Sequence, residues 1–79
     1  MTTITLDVRG LKCPLPVLRT RKALARLRAE DRLEVLCTDP MSAIDIPVLV
    51  RSLEMKVSIT ARADGGLTFL IEKNNSGDD

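Results

Sequence analysis

The run TITLDVRGLKCPLPVLRTRKAL, Thr3 to Leu24, decides the fold. Ile4, Leu6 and Val8 alternate with Thr5 and Asp7, the period of two that marks a half-buried strand. Gly10 ends that strand. From Pro14 onward the period lengthens: Val17, Thr20, Leu24 and Leu27 share one helical stripe, while Arg19, Lys22 and Arg26 share another. A strand, a short loop holding Gly10 and Cys13, and a helix therefore open the chain.

Working outward, Leu33, Val35 and Cys37 alternate with Glu34 and predict a second strand. Thr38-Asp39-Pro40 is a helix start, because an Asp accepts N–H bonds as N-cap and Pro fits the first helical position. Pro47 would interrupt a longer helix. The expectation is a short turn over 40–44, then a helix from Ile46 to Leu53 with Asp45 as its cap. Met55, Val57, Ile59 and Ala61 form a third alternating run. Ala63-Asp64-Gly65-Gly66 supplies a hairpin turn, and Leu67, Phe69 and Ile71 return as the fourth strand.

The order β-α-β-α-β-β, with crossovers of the usual hand, predicts a two-layer α/β (α+β) sandwich. A mixed four-stranded sheet carries two helices on one face, since the strands are apolar on one side only. Residues 1–73 are expected to form a single domain and residues 74–79 a disordered tail. The segments 10–16 and 38–44 both follow parallel strands. They meet at one carboxyl end of the sheet, where sites of open α/β sheets form.

Composition narrows the chemistry. The 79 residues include no His and two Cys, Cys13 and Cys37, which excludes a Cys–His pair and a four-ligand zinc site within one chain. There is no CxxC, and a reducing compartment disfavours a structural disulfide. No metal and no cofactor are expected. The amino terminus lacks the charged start and apolar run of a signal peptide, and no segment approaches the ~20 apolar residues of a membrane span. A cytoplasmic protein that does not contact membrane is the expectation, monomeric when free.

The net charge of +1 is uneven. Residues 9–32 carry eight basic side chains, Arg9, Lys12, Arg19, Arg21, Lys22, Arg26, Arg28 and Arg32, against Glu30 and Asp31. A single positive region suits partner docking better than general polyanion binding.

The chemistry centres on Cys13-Pro14-Leu15-Pro16. With Cys13 at the N-cap and Pro14 at the first helical position, the entry is stiff, and Pro16 is tolerated in the same turn. The N–H groups of Leu15 and Val17, the helix dipole, Lys12 and the run Arg19 to Lys22 would favour thiolate over thiol. Gly10, Pro14, Leu15 and Pro16 thus support the nucleophile. A sulfur with no resolving partner and no acid–base neighbour is suited to taking a sulfane sulfur as a persulfide and presenting it to an acceptor. The plainer reading is that Cys13 is a small buried hydrophobe at a helix start.

Asp7-Val8-Arg9-Gly10-Leu11-Lys12-Cys13-Pro14-Leu15-Pro16 resembles the D-x-x-G-x-x-C-P-x-P signature of the TusA/SirA sulfur-carrier family. Arg21-Lys22, Asp39-Pro40 and Asp45-Ile46-Pro47 extend the resemblance over nearly the whole chain. It implies a cytoplasmic sulfurtransferase, with Cys13 bearing persulfide sulfur received from a cysteine desulfurase. It also implies a downstream acceptor protein, in tRNA 2-thiouridine synthesis, molybdenum-cofactor synthesis or sulfur oxidation. By position, Arg21 and Asp39 match residues linked to partner docking; Lys12, Arg19, Lys22 and Asp45 join them as docking candidates around the cysteine. Leu15 and Ile44 replace charged residues of the best-known member and make the surface near Cys13 more apolar.

Other readings remain open at this level. Asp39 and Asp45 are helix caps in the simplest account. The parity of Cys37 points it into the core, against a shuttle or disulfide with Cys13, and Met41 and Met55 read as core or rim. The basic helix could serve an RNA-binding module, but one aromatic in the chain offers almost no stacking platform. A redox-regulatory interaction domain, with Cys13 only a sensor, is the third reading.

Overall fold

The computed structural model describes residues 2–73; the tail expected over 74–79 lies outside the described residues. The elements are β1 (Thr3–Asp7), α1 (Leu15–Ala25), β2 (Arg32–Cys37), α2 (Ser42–Ser52), β3 (Lys56–Ala61) and β4 (Leu67–Glu72). They form one four-stranded sheet in the order β1-β2-β4-β3. β1 pairs with β2 in parallel, and β4 runs antiparallel to both β2 and β3. The crossover through α2 therefore skips one place, which the hairpin partner β4 fills. The expected two-layer, mixed four-stranded architecture is the one observed.

Alternation on β2 carries the core. Leu33, Val35 and Cys37 are fully buried, while the intervening residues are half-buried. From β4, Phe69 and Ile71 join them, and the helices contribute Leu24, Ile46 and Val50; Val8 and Leu27 close the two ends. On α1 the buried stripe is Pro16, Thr20 and Leu24, so Val17 sits only half-buried at its side. Thr20 is tolerated there because its hydroxyl donates to the Pro16 carbonyl at 2.7 Å. β3 lies at the sheet edge, where Ile59 remains about half exposed (48%) despite its core-side parity. Met55 packs against the core, but Met41 is exposed rather than core or rim.

The second helix corrects the expectation. It begins at Ser42, not Ile46, and Pro47 sits inside it and is buried. A proline in the second turn forfeits one hydrogen bond, to the Ala43 carbonyl, and burial of Ile46, Pro47 and Val50 offsets that loss. Asp45 accordingly lies in the first turn and is not the cap. The start is organised by Asp39, whose Oδ1 accepts from Met41 N–H at 3.1 Å and whose carbonyl accepts from the Ser42 hydroxyl at 2.5 Å. At the other end, Met55 N–H donates to Val50 O and Glu54 N–H to Arg51 O, the paired bonds of a Schellman motif. Glu54 takes the left-handed position there, with φ 59°. Among the described residues, no helix is long and apolar enough to cross a membrane.

Candidate functional site

The loops after β1 and β2 meet at the carboxyl end of this parallel pair. Gly10 turns the first loop with φ 83°, a value that disfavours any side chain, and its N–H donates to Thr38 Oγ1 at 2.9 Å. Three residues on, Cys13 N–H donates to Asp39 Oδ2 at 2.6 Å. One Asp39 carboxylate thus ties the cysteine loop to the start of α2. The Cys13–Pro14 peptide bond is cis.

The entry to α1 differs by one residue from the expected one. Pro14 occupies the cap position, with φ −97° and ψ 11°, and the helix begins at Leu15. Pro14 still contributes the first helical acceptor, its carbonyl receiving Leu18 N–H at 3.1 Å. Pro16 falls at the second helical position, where the absent N–H costs nothing. Leu15 N–H is not free to face the sulfur, because it donates to the Lys12 carbonyl at 2.9 Å.

The surroundings of the sulfur overturn the expected thiolate. Cys13 is exposed, and its Sγ donates to Asp45 Oδ2 at 3.3 Å. That hydrogen bond holds the thiol pKa above its ordinary value. Desolvation and the charges of Asp45 and Asp39 push it the same way. The expectation that no acid–base residue stands near Cys13 therefore fails, as does that of a positive field. Cys13, Pro16, Val17, Asp39, Ser42 and Asp45 line a shallow depression of about 150 Å³ whose only charged groups are the two carboxylates. Arg19 and Lys22 line a different depression beside Leu6, and Arg21 a third, with Leu53, Met55 and Lys73.

Arg9 is also committed elsewhere. It grips Asp7 with two side-chain bonds, at 2.8 and 2.9 Å, and holds that carboxyl at about 2, below the ordinary 3.8. The exposed large apolar side chains at the two helix starts are Leu15 (44%), Met41 (48%) and Ile44 (60%), with Leu18 and Val48 one turn further on. The depression is too shallow to hold even a water-sized sphere, against the roughly 300–1,000 Å³ of small-molecule pockets. The sulfur lies at the surface.

Cys37 is buried, and burial raises its thiol pKa. Phe69, the single aromatic, is fully buried and offers no base a stacking surface. Among the described residues, no three His, Cys, Asp or Glu side chains converge as a metal site would require.

The comparison with known proteins decides the family. The model of a family described as sulfurtransferase TusA matches residues 4–73. This chain belongs to the TusA family. A Neisseria meningitidis serogroup A protein, provisionally named a sulfur carrier, is 40% identical over 72 residues, 91% of this chain and 97% of that protein. The sulfur carrier protein TusA of Allochromatium vinosum is 35% identical over 69 residues, 87% of this chain and 91% of that protein. The crystal structure of a SirA-like protein from Desulfitobacterium hafniense superposes with a TM-score of 0.77 at 29% identity, covering 90% of this chain and 95% of that one. Within the TusA frame, the loop joining β1 to α1 carries the signature Asp7–Pro16. Asp39 and Asp45 reach it from 26 and 32 residues away.

Proposed function

We propose that this chain is a sulfurtransferase acting as a sulfur carrier, with Cys13 as the persulfide-bearing residue. It takes sulfur in the cytoplasm from a cysteine desulfurase and passes it to an acceptor protein. The observation that carries this reading is an exposed cysteine at a stiff helix entry, in a depression too shallow to hold a small substrate, in a chain of the TusA family.

In the loading step the Cys13 sulfur attacks the terminal sulfur of the donor's persulfide. A bond forms between Sγ and that sulfur, the donor's own S–S bond breaks, and the donor cysteine leaves as thiolate. The proton lost by Cys13 ends on that thiolate, so no oxidant or reductant is consumed. Unloading is the same exchange, with an acceptor thiolate attacking the outer sulfur and Cys13 leaving. Pro14, Leu15, Pro16 and Gly10 hold the sulfur outward through the loop geometry. Lys12, Arg19, Arg21, Lys22 and Asp39 are the polar groups through which partners dock. The acceptor serves tRNA 2-thiolation, molybdenum-cofactor synthesis or sulfur oxidation.

Incubation with a cysteine desulfurase and cysteine, followed by intact-protein mass spectrometry, tests the reading. The expected result is a gain of one sulfur atom, removed by dithiothreitol, absent in Cys13→Ser and full in Cys37→Ser. A Cys13→Ser protein that still loads sulfur would refute it.

A further inference from the structure

Asp45, read from the sequence as a helix cap and a docking candidate, makes the closest polar contact of the nucleophile's sulfur. Its Oδ2 accepts the Cys13 thiol at 3.3 Å, and Asp39 holds the same residue's N–H at 2.6 Å. Neither carboxylate takes part in a salt bridge among the described residues. The cations of α1 line other depressions, which leaves Lys12, next to Cys13 in the chain, as the one basic residue of that loop segment. The charged groups in contact with Cys13 are therefore both carboxylates, neither of them ion-paired among the described residues.

We propose that Asp45 is a positioning residue that keeps Cys13 in its thiol form in the free carrier and selects sulfur donors bearing a positive charge beside their sulfur. The proposal rests on the sulfur-carrier reading for its physiological meaning. A Lys or Arg of the docked partner, pairing with Asp45, removes the charge that opposes thiolate formation. Cys13 then loses its proton and attacks, the donor S–S bond breaks, and the proton passes to the departing donor thiolate. On unloading, a cation of the docked acceptor in the same place would lower the basicity of the departing Cys13 thiolate, and a less basic thiolate leaves faster. Away from a partner, a protonated sulfur is a poor nucleophile toward oxidants and stray disulfides.

The test reads Cys13 directly and needs no sulfur donor, so it can fail with sulfur carriage intact. The pH profile of Cys13 alkylation by iodoacetamide is compared in wild type, Asp45→Asn and Asp45→Glu. A unit charge about 4 Å away changes a protonation equilibrium roughly fivefold even in a water-like dielectric. Because nucleophilicity falls with basicity, Asp45→Asn should react about twofold faster at pH 7 and about twofold slower on the alkaline plateau. The two profiles should cross, and Asp45→Glu should restore the wild-type curve.

The second readout is the rate of disulfide exchange at Cys13 with cystamine, a dication, against dithiodiglycolate, a dianion. Wild type should favour the cation, and Asp45→Asn should shrink that preference by at least about fivefold. Raising salt from 0.1 M to 1 M, which shortens the screening length from about 10 Å to about 3 Å, should shrink it in wild type without any mutation. That arm decides the matter even if the Asn variant misfolds. Profiles that do not cross, or a cation preference indifferent to salt, overturn the proposal.

Discussion

Asp39→Ala is the perturbation that tests how the site is held. The Asp39 carboxylate bridges two elements, with Oδ2 on Cys13 N–H at 2.6 Å and Oδ1 on Met41 N–H at 3.1 Å. The second bond holds the turn ahead of α2, whose N-cap is Met41; by analogy with a helix cap its loss costs about 0.5–2 kcal/mol. The first is charge-assisted, a kind worth about 1.5–3 kcal/mol, and its solvent exposure argues for the low end. Together the loss should be about 2–3 kcal/mol. At about 4–8 °C per kcal/mol for a domain of this size, the melting temperature should fall by about 8–24 °C. With no Trp or Tyr in the chain, far-UV circular dichroism in urea and on heating is the appropriate readout. Hydrogen exchange adds a local one: Cys13 and Met41 amides should lose protection in Asp39→Ala well before the β2 and β4 ladder does. Asp39→Asn keeps one acceptor oxygen and should recover about half the loss. A stability change below about 0.5 kcal/mol in Asp39→Ala, with both amides still protected, would refute the claim that this carboxylate joins the loops.

Three further outcomes follow from local geometry. Arg9→Ala should raise the Asp7 titration from about 2 part of the way toward the ordinary 3.8, because the residue-9 N–H still donates to Asp7 Oδ1, as followed by carboxyl NMR. Because the folded value is depressed, the pair's stabilisation is present above pH 3.8 in wild type and fades as the pH falls through 2; the variant's acid unfolding should lack that component. Glu54→Gly removes a side chain from a left-handed residue and should raise stability by about 0.5–1 kcal/mol in urea denaturation, the relief exceeding the entropy glycine adds to the unfolded chain. Gly66→Ala would place a methyl group against the Cys37 carbonyl, which is backbone and cannot swing aside. It should destabilise the fold by about 1–3 kcal/mol in the same assay.

Most of the fold was legible because it rests on local periodicity. The strand over Leu33–Cys37 read correctly from its alternation, since every second residue faces one continuous core. The Asp64-Gly65-Gly66 turn was equally plain. What misled was proline. Pro47 read as a helix break because an interior proline loses a bond and crowds the carbonyl four residues back. The helix passes through it nonetheless, because tertiary burial of Ile46, Pro47 and Val50 outweighs a local preference. The same limit applies to Val17 and Pro16: one residue's shift in the helix start rotates the stripe, and the start was ambiguous with two prolines in one turn. Glu54 in a position that favours glycine left no sequence signal at all.

The site was legible in its nucleophile and illegible in its field. Cys13 announces itself through its prolines, and Gly10 through the turn it permits. The sign of the potential around the sulfur depends instead on which side of α1 faces α2. Reading Arg19, Arg21 and Lys22 as neighbours of Cys13 counts distance along the chain, whereas electrostatics counts distance in space. Those side chains leave the helix toward other depressions, and Arg9 is engaged by Asp7. The groups that reach the sulfur come from residues 26 and 32 positions later, brought there by the parallel pairing of β1 with β2. That pairing was predictable, and so was the meeting of the two loops. Had the loops' charges been summed by their place at the sheet end rather than along the sequence, Asp39 and Asp45 would have stood out as the only pair facing the cysteine. A net charge of +1 thus coexists with a negative reactive centre. On the roles proposed for the cations of α1 and for Asp45, basic flanks and an acidic centre would separate docking from reaction in a carrier that meets partners in turn.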